Sequence, residues 1–339
     1  MRVVHKHDGK LLEIVHKFKG KKVLLIGDVI LDRYTFGEVN MISPEAPVPI
    51  LQIDDKRHKY VPGGAANAAN NIIALDGDVL LVSVTGNDSR RDELISVLRS
   101  SGIKTDGLIV DESRPTIMKT RVVAQNQQLI RIDYEKTHFI PQEIENEMID
   151  YARKNIKLVD AIVISDYGKG VVTNNLVKQI FALAKQNGKK VVVDPKQTDP
   201  EYYRGAYLVT PNLKEAGEIS KIEPKNDEDV IFIGKKLVLE LGANILITRG
   251  KEGMTLCQEN EIVHIPTKAR EVYDVSGAGD TVVGTIALAL AAGAELIDAV
   301  VLANYAAGIV VSKFGTATTN VEDLKRYIED EAKNEHVKE

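Results

Sequence analysis

Six short apolar runs, rich in β-branched residues, recur along the sequence at 23–26, 79–84, 161–165, 191–193, 207–210 and 245–248. Each is apolar throughout rather than alternating, the pattern of a strand buried on both faces. Between them the spacing predicts helices over 65–75, 89–100, 142–156, 174–187, 228–241, 279–292 and 296–312. Strands and helices in alternation, joined by right-handed crossovers, demand an α/β fold: a mainly parallel sheet with helices on both sides. With 339 residues and 44% hydrophobic content, the chain has enough apolar material for one continuous core.

Two segments break the alternation, 33–60 and 114–135, the second carrying Thr120-Arg121-Val122-Val123 and Leu129-Ile130-Arg131-Ile132. They read as antiparallel strands that form a small sheet projecting from the main body, either a lid over a site or a dimer contact. A bare, flat edge there would invite pairing with a second copy. No internal repeat or Pro/Gly-rich linker divides the chain, so residues 1–339 are expected to form a single domain with the two lid segments inserted.

Charge excludes some partners. Lys and Arg number 44 against 49 Asp and Glu, and the net charge of -5 gives no bulk attraction to nucleic acid or an anionic membrane. Any phosphate binding must therefore be local. The single cysteine, Cys257, excludes an intrachain disulfide and fits a reducing compartment, with the thiol in the core. The first 22 residues carry Leu11, Leu12, Ile14, Val15 and Phe18 at roughly helical spacing, which makes a poor signal peptide. The apolar run 281–292 is too short to span a bilayer, so the expected location is the cytoplasm.

Nearly every buried run ends in a polar cluster. Gly27-Asp28 follows the first and Asp166-Tyr167-Gly168-Lys169-Gly170 a later one; Asp194-Pro195-Lys196, Pro211-Asn212-Leu213-Lys214-Glu215 and Thr248-Arg249-Gly250 continue the series. In an open parallel sheet these ends form the crevice where ligands bind, so the clusters should converge. Any one of them alone is better explained as a cap of the following helix, but five in succession are harder to explain that way.

Asp274-Val275-Ser276-Gly277-Ala278-Gly279-Asp280 leads directly into a helix of small apolar residues. Such a loop can turn peptide N–H groups towards an anion, with the helix dipole favouring the same charge. Asp280, in the first turn, could then take the proton of an attacking hydroxyl during phosphoryl transfer. An ordinary helix start with an acidic first turn fits the same residues equally well. Gly63-Gly64-Ala65-Ala66-Asn67-Ala68-Ala69-Asn70-Asn71 is a second paired glycine opening a small-residue helix, suited either to a polyhydroxy ligand or to tight helix packing. The chain has no P-loop and no His-Arg-Asp catalytic loop, Val282 stands where a dinucleotide fingerprint needs its third glycine, and the seven histidines lack zinc spacing.

Together, Gly63-Gly64-Ala65-Ala66-Asn67 and Gly277-Ala278-Gly279-Asp280 resemble the two signatures of the ribokinase-like, PfkB-type carbohydrate kinases, over about residues 20–330. The resemblance implies a three-layer α/β/α domain with a β-sheet lid, ATP and Mg²⁺ as co-substrates, and Asp280 as base beside the Gly277-Ala278-Gly279 anion loop. It implies that Asn212 and Glu215 order Mg²⁺ and the phosphates, Glu215 acting on the metal directly or through water. Thr248 and Gly250, with Asp194 and Arg249, would lie on the nucleotide side and Asn304 near the adenine. Asp28, Asn67, Gly63 and Gly64, with Asp166, would serve the sugar. Activation by a monovalent cation such as K⁺ stays open.

Ile42-Ser43-Pro44-Glu45-Ala46-Pro47-Val48-Pro49 and Asn126-Gln127-Gln128-Leu129-Ile130-Arg131-Ile132-Asp133 are similar to the lid of the heptose 7-phosphate kinase group, which makes the 1,7-bisphosphate used for ADP-heptose and lipopolysaccharide. That substrate already carries a phosphate, which Lys119, Arg121, Arg131 or Lys169 would meet. Met41 and Val61-Pro62 stand where relatives usually carry Arg, which points to altered specificity, and Ser276 replaces a more frequent Thr. Two-function relatives continue into a nucleotidyltransferase domain, so a chain ending at Glu339 is expected to phosphorylate only. A homodimer through the lid sheets is the expected assembly.

Overall fold

The computed structural model describes residues 2–3, 8–125, 127–269, 271–313 and 315–336; Asn126, which heads the second lid motif, lies outside them. The chain begins with β1 (Arg2–Val3), α1 (Asp8–His16) and β2 (Lys22–Gly27). A long hairpin follows, β3 (Val29–Ile42) and β4 (Pro49–Gly64), and then α2 (Ala65–Ala74), β5 (Asp78–Thr85), α3 (Ser89–Ser100) and β6 (Leu108–Val110). A second hairpin, β7 (Met118–Ala124) and β8 (Gln127–Tyr134), leads to α4 (Gln142–Asn155), β9 (Ala161–Ser165), α5 (Asn174–Gln186) and β10 (Lys190–Asp194). Next come β11 (Leu208–Val209), α6 (Leu213–Ser220), α7 (Asp227–Leu241), β12 (Asn244–Thr248), β13 (Met254–Cys257) and β14 (Ile262–Ile265). The chain closes with α8 (Ala278–Ala291), α9 (Leu296–Val310) and α10 (Val321–His336).

The large sheet runs β1-β14-β13-β12-β11-β10-β9-β2-β5-β6, and from β12 to β6 every pairing is parallel. In β2, Val23 and Leu25 join one apolar layer while Leu24 and Ile26 join the other, because successive side chains in a strand face opposite ways. One layer contains Ile72 of α2, Val283 of α8 and Leu302 of α9; the other contains Met148 of α4, Ile180 of α5 and Ile233 of α7. Burying each such side chain contributes about 1.5–3 kcal/mol of transfer free energy, so the two layers hold the strand ends rigidly in place. Cys257 is wholly buried in the second layer, where desolvation pushes its thiol up to about 11.

The small sheet runs β4-β3-β7-β8. Its two hairpins are antiparallel, as the sequence predicts, but they meet through a parallel β3–β7 pairing from Leu31↔Met118 to Gly37↔Ala124. The lid is also rooted deeper than residue 33: Val29 pairs with Gly64 and Asp32 with Val61. The base of the lid therefore lies against the end of β2, next to the crevice.

Candidate active site

The crevice at the carboxyl ends of β2, β9, β10 and β12 receives the amino ends of α2 and α8. Helices α3, α5 and α7 are capped by the side chains of Asp88, Thr173 and Asn226, whereas α8 starts on Gly277 and α2 on Gly64 with no side-chain cap. At α8 the peptide N–H groups of Gly279 and Asp280 have no acceptor among the described residues, so they remain available to an anion. Gly277 has a φ of 79°, in the left-handed region.

Asp280 is 3% exposed, and both of its carboxylate oxygens are engaged. Asn67 Nδ2 donates to Oδ2 at 2.7 Å, and the Tyr167 hydroxyl donates to Oδ1 at 2.6 Å. Burial pushes this carboxyl up to about 6; the two hydrogen bonds pull it down and the Asp32 charge adds to the rise. It is thus ionised at neutral pH yet close enough to its titration to accept a proton. A neighbouring contact ties the two helices together: Thr281 Oγ1 donates to Asn71 Oδ1 at 2.9 Å, while Asn71 Nδ2 is held within α2 by the Asn67 carbonyl at 2.9 Å. Asn67 Oδ1 is buried and has no partner among the described residues.

Asp28 requires a correction. Its carboxylate is fully buried and accepts the backbone N–H groups of Tyr167, Lys169 and Val171 at 2.8, 3.2 and 3.1 Å, so it holds the loop after β9 instead of facing a ligand. Desolvation still raises its carboxyl above the usual range, against those three bonds. The carboxylate at the base of the lid is Asp32, whose Oδ1 takes the Arg121 guanidinium at 2.5 Å. A Cβ on Gly63 would lie 2.4 Å from Asp32 Oδ2, which explains the need for glycine there. Asp166 is also turned inward: it accepts the Gly168 N–H at 2.8 Å and the Tyr203 hydroxyl at 3.3 Å, and burial together with the Asp28 charge pushes it up to about 7.

Positive charge gathers where the lid meets the crevice. Lys119 is half-buried, and desolvation, Lys169 and Arg131 hold its pKa below the ordinary lysine value. Arg131 pairs with Asp133 through two bonds of 2.9 Å, and Lys169 Nζ lies 2.6 Å from Glu135 Oε1. Lys119 makes no ion pair among the described residues.

On the other side of α8 a cavity of about 480 Å³ is lined by Thr248, Gly250, Ala278, Gly279, Val282 and Asn304, among others. Asn304 Nδ2 donates to the Pro266 carbonyl at 2.8 Å. Arg249, expected on this side, swings away: its guanidinium pairs with Asp227 and reaches Thr255 Oγ1 at 3.3 Å, outside the cavity lining. Asn212 and Glu215 form a capping box at the start of α6, with reciprocal bonds of 3.0 and 3.1 Å, and Lys196 Nζ sits 3.1 Å from Glu215 Oε1. The Asp194 carboxyl is raised well above the usual range by burial and by the charges of Asp280, Glu215 and Asp166.

No group of three or more metal-ligating side chains exists among the described residues. One or two isolated carboxylates beside an anion cradle suit a divalent cation carried largely by phosphate and water, as Mg²⁺ commonly is. No described helix is long and apolar enough to cross a membrane.

Tyr167 and Asp32 were not among the site residues singled out from the sequence. Tyr167 does lie in the polar cluster that follows β9, and Asp32 lies four residues beyond Asp28.

The pfkB family of carbohydrate kinases matches residues 21–323. The chain is 43% identical over 319 residues to the bifunctional protein HldE of Desulfatibacillum aliphaticivorans, covering 94% of this chain and 65% of that one. The chain thus spans just under two thirds of that curated relative. Among solved structures, Arabidopsis thaliana ribokinase complexed with ribose and ATP is similar at a TM-score of 0.71 and 17% identity, covering 92% of this chain and 99% of that one. Escherichia coli phosphofructokinase-2 in complex with potassium is similar at a TM-score of 0.73 and 18% identity, with 92% and 99% coverage. The fold is ribokinase-like.

Proposed function

Since this chain belongs to the pfkB family of carbohydrate kinases and is thereby an ATP-dependent sugar kinase, we propose that it phosphorylates D-glycero-β-D-manno-heptose 7-phosphate at the anomeric hydroxyl, giving the 1,7-bisphosphate for ADP-heptose synthesis. The observation that carries this proposal is Asp280, held by Asn67 and Tyr167 between an uncapped helix start and the basic base of the lid.

In this scheme Asp280 takes the proton of the acceptor hydroxyl as that oxygen bonds to the γ-phosphorus of ATP; the bond from phosphorus to the bridging oxygen breaks and ADP leaves. The N–H groups of Gly279 and Asp280 receive charge on the transferring phosphoryl group, and the cavity beside Thr248, Gly250 and Asn304 takes the nucleoside. Glu215, with Asp194 nearby, orients Mg²⁺ directly or through water. Bound Mg²⁺ supplies charge neutralisation at the phosphates. Potassium stands as a proposal on the strength of the phosphofructokinase-2 likeness alone.

Lys119, without an ion pair among the described residues and close enough to Lys169 and Arg131 to feel their charges as well as those of Asp32 and Asp133, suits a dianionic phosphate already on the sugar. The HldE likeness and the two lid motifs favour a heptose. Met41 and Val61, standing where relatives usually carry Arg, favour a second possibility, a kinase for another sugar or sugar phosphate. Purified protein with Mg-ATP and a sugar panel separates the two: turnover on fructose or ribose, with none on heptose 7-phosphate, would reject the first.

A homodimer through the lid fits the same surface. Strand β8 is a sheet edge exposed along its length, with Leu129, Ile130 and Ile132 at 43%, 56% and 39% exposure. A sedimentation mass of one chain would remove this contact.

A further inference from the structure

We infer that Tyr167 is a positioning residue for the proposed base: its hydroxyl, held in place by a loop that two buried charges clamp, fixes the Asp280 carboxylate so that a defined lone pair faces the acceptor alcohol. The inference rests on Asp280 being the base.

Asp280 Oδ2 accepts from Asn67 and Oδ1 from Tyr167, so the carboxylate cannot turn about its Cβ–Cγ bond without breaking a bond. One lone pair on each oxygen is already used, and the acceptor alcohol must take one of those remaining. Tyr167 is fixed in turn by its own backbone: its N–H and those of Lys169 and Val171 all donate to Asp28. From the other side, Arg114 Nη1 donates to the Lys169 carbonyl at 3.0 Å and Nη2 to the His138 carbonyl at 2.6 Å, while Nε bonds Asp111 Oδ2 at 2.7 Å. Asp28 and Arg114 are 0% and 4% exposed. Burying two charged groups is costly unless their bonds are made: Asp28 takes all three of its bonds from this loop, and Arg114 ties the Lys169 carbonyl of the loop to His138 and Asp111. A loop so anchored delivers its one aromatic hydroxyl to a fixed point, as a supporting shell must.

Charge supports the same role. Facing Asp280 are Tyr167 from the loop after β9, Asn67 from α2, Asp32 from β3 and Asp194 from the end of β10. Two of these are donors, and the Asp32 charge opposes ionisation of the base. Without the Tyr167 hydroxyl, a single donor opposes burial and the Asp32 charge, and Asp280 must hold its proton to higher pH. Burial and Asp280 itself keep the Tyr167 phenol protonated, so it remains a donor throughout the working range.

The test uses the full chain with Mg-ATP and whichever acceptor from the sugar panel turns over fastest. In Tyr167→Phe, kcat at pH 7 should fall about tenfold, the KM for ATP should hold within about twofold, and the acid limb of kcat should move up by about one pH unit, so that part of the loss is regained at high pH. A folded Tyr167→Phe variant with wild-type kcat and an unmoved acid limb overturns the inference. Should that variant fail to fold, 3-fluorotyrosine at position 167 preserves shape and strengthens the donor; the acid limb must then move down, and an unmoved limb overturns the inference. Asp280→Asn run alongside separates the two claims. If it is inactive while Tyr167→Phe is unaffected, only the positioning role falls; if it is active, the base assignment falls and the inference with it.

Discussion

A methyl group on Gly277 would lie 2.6 Å from the side-chain nitrogen of Asn67, the same nitrogen that donates to Asp280 Oδ2. The anion loop and the proposed base are therefore packed through one side chain, and neither can shift alone. Gly277→Ala combines that clash with a left-handed φ of 79°, which costs a non-glycine residue about 1–2 kcal/mol. We predict a modest fall in melting temperature but a kcat loss on the order of a hundredfold, because displacement of the base by a fraction of a bond length is amplified in the rate. Thermal melts paired with steady-state kinetics check it; equal, small losses in both would disprove the coupling.

Asp280 trades stability for function in a pH-dependent way. Its carboxyl is raised from 3.8 to about 6 in the fold, so the protonated form is the one the fold favours. Its stabilising contribution is complete below about pH 4 and is lost as pH rises through about 6. Asp280→Asn escapes this loss, worth roughly 2–3 kcal/mol at neutral pH. Its melting temperature should exceed the wild type's at pH 7.5, and the gap should close towards pH 4.5. A gap that does not change with pH would contradict this.

Lys119 makes no ion pair among the described residues, and the two carboxylates whose charges it feels, Asp32 and Asp133, are paired with Arg121 and Arg131, so its removal leaves no orphaned charge behind. Lys119→Ala should raise the KM for a phosphorylated sugar roughly ten- to a hundredfold while hardly changing kcat or the KM for ATP. Initial-rate measurements with phosphorylated and unphosphorylated acceptors decide the point. An equal effect on both would place Lys119 away from the substrate phosphate.

Glu215 has one oxygen in the capping box and the other at Lys196. Glu215→Gln retains a capping acceptor but loses the charge, so stability should change by less than about 1 kcal/mol. The Mg²⁺ concentration for half-maximal rate should rise severalfold. An unchanged metal titration would leave Glu215 with a capping role alone.

The alternation of strands and helices was legible in the sequence because a strand covered on both faces cannot carry polar residues in its middle; β2, β9 and β12 contain the predicted runs. The start of α8 was legible as a glycine-bearing loop leading into small apolar residues; whether Asp280 serves chemistry or only an ordinary first turn was not, because that turns on Asn67 and Tyr167 meeting its carboxylate. Helix α6 was not predicted: at eight residues it is too short to show a period, and the Asn212–Glu215 pair that caps it also fits a metal motif. Asp28 adjoins the β2 run in the sequence, which does not show that it turns inward; that is decided by the loop after β9, whose N–H groups donate to Asp28. Tyr167 meets Asp280 across 113 residues of chain, and Arg249 is drawn off by Asp227 on α7, contacts that only tertiary packing creates.

The phosphoryl-transfer rate of Asp280→Asn in a single turnover, with enzyme in excess over acceptor and saturating Mg-ATP, tests the central claim most directly. If Asp280 is the base, the rate falls by about 10³-fold or more while ATP binding is retained, as measured by calorimetry on the same preparation. A rate within tenfold of wild type would mean that the proton goes elsewhere and that another group does the chemistry.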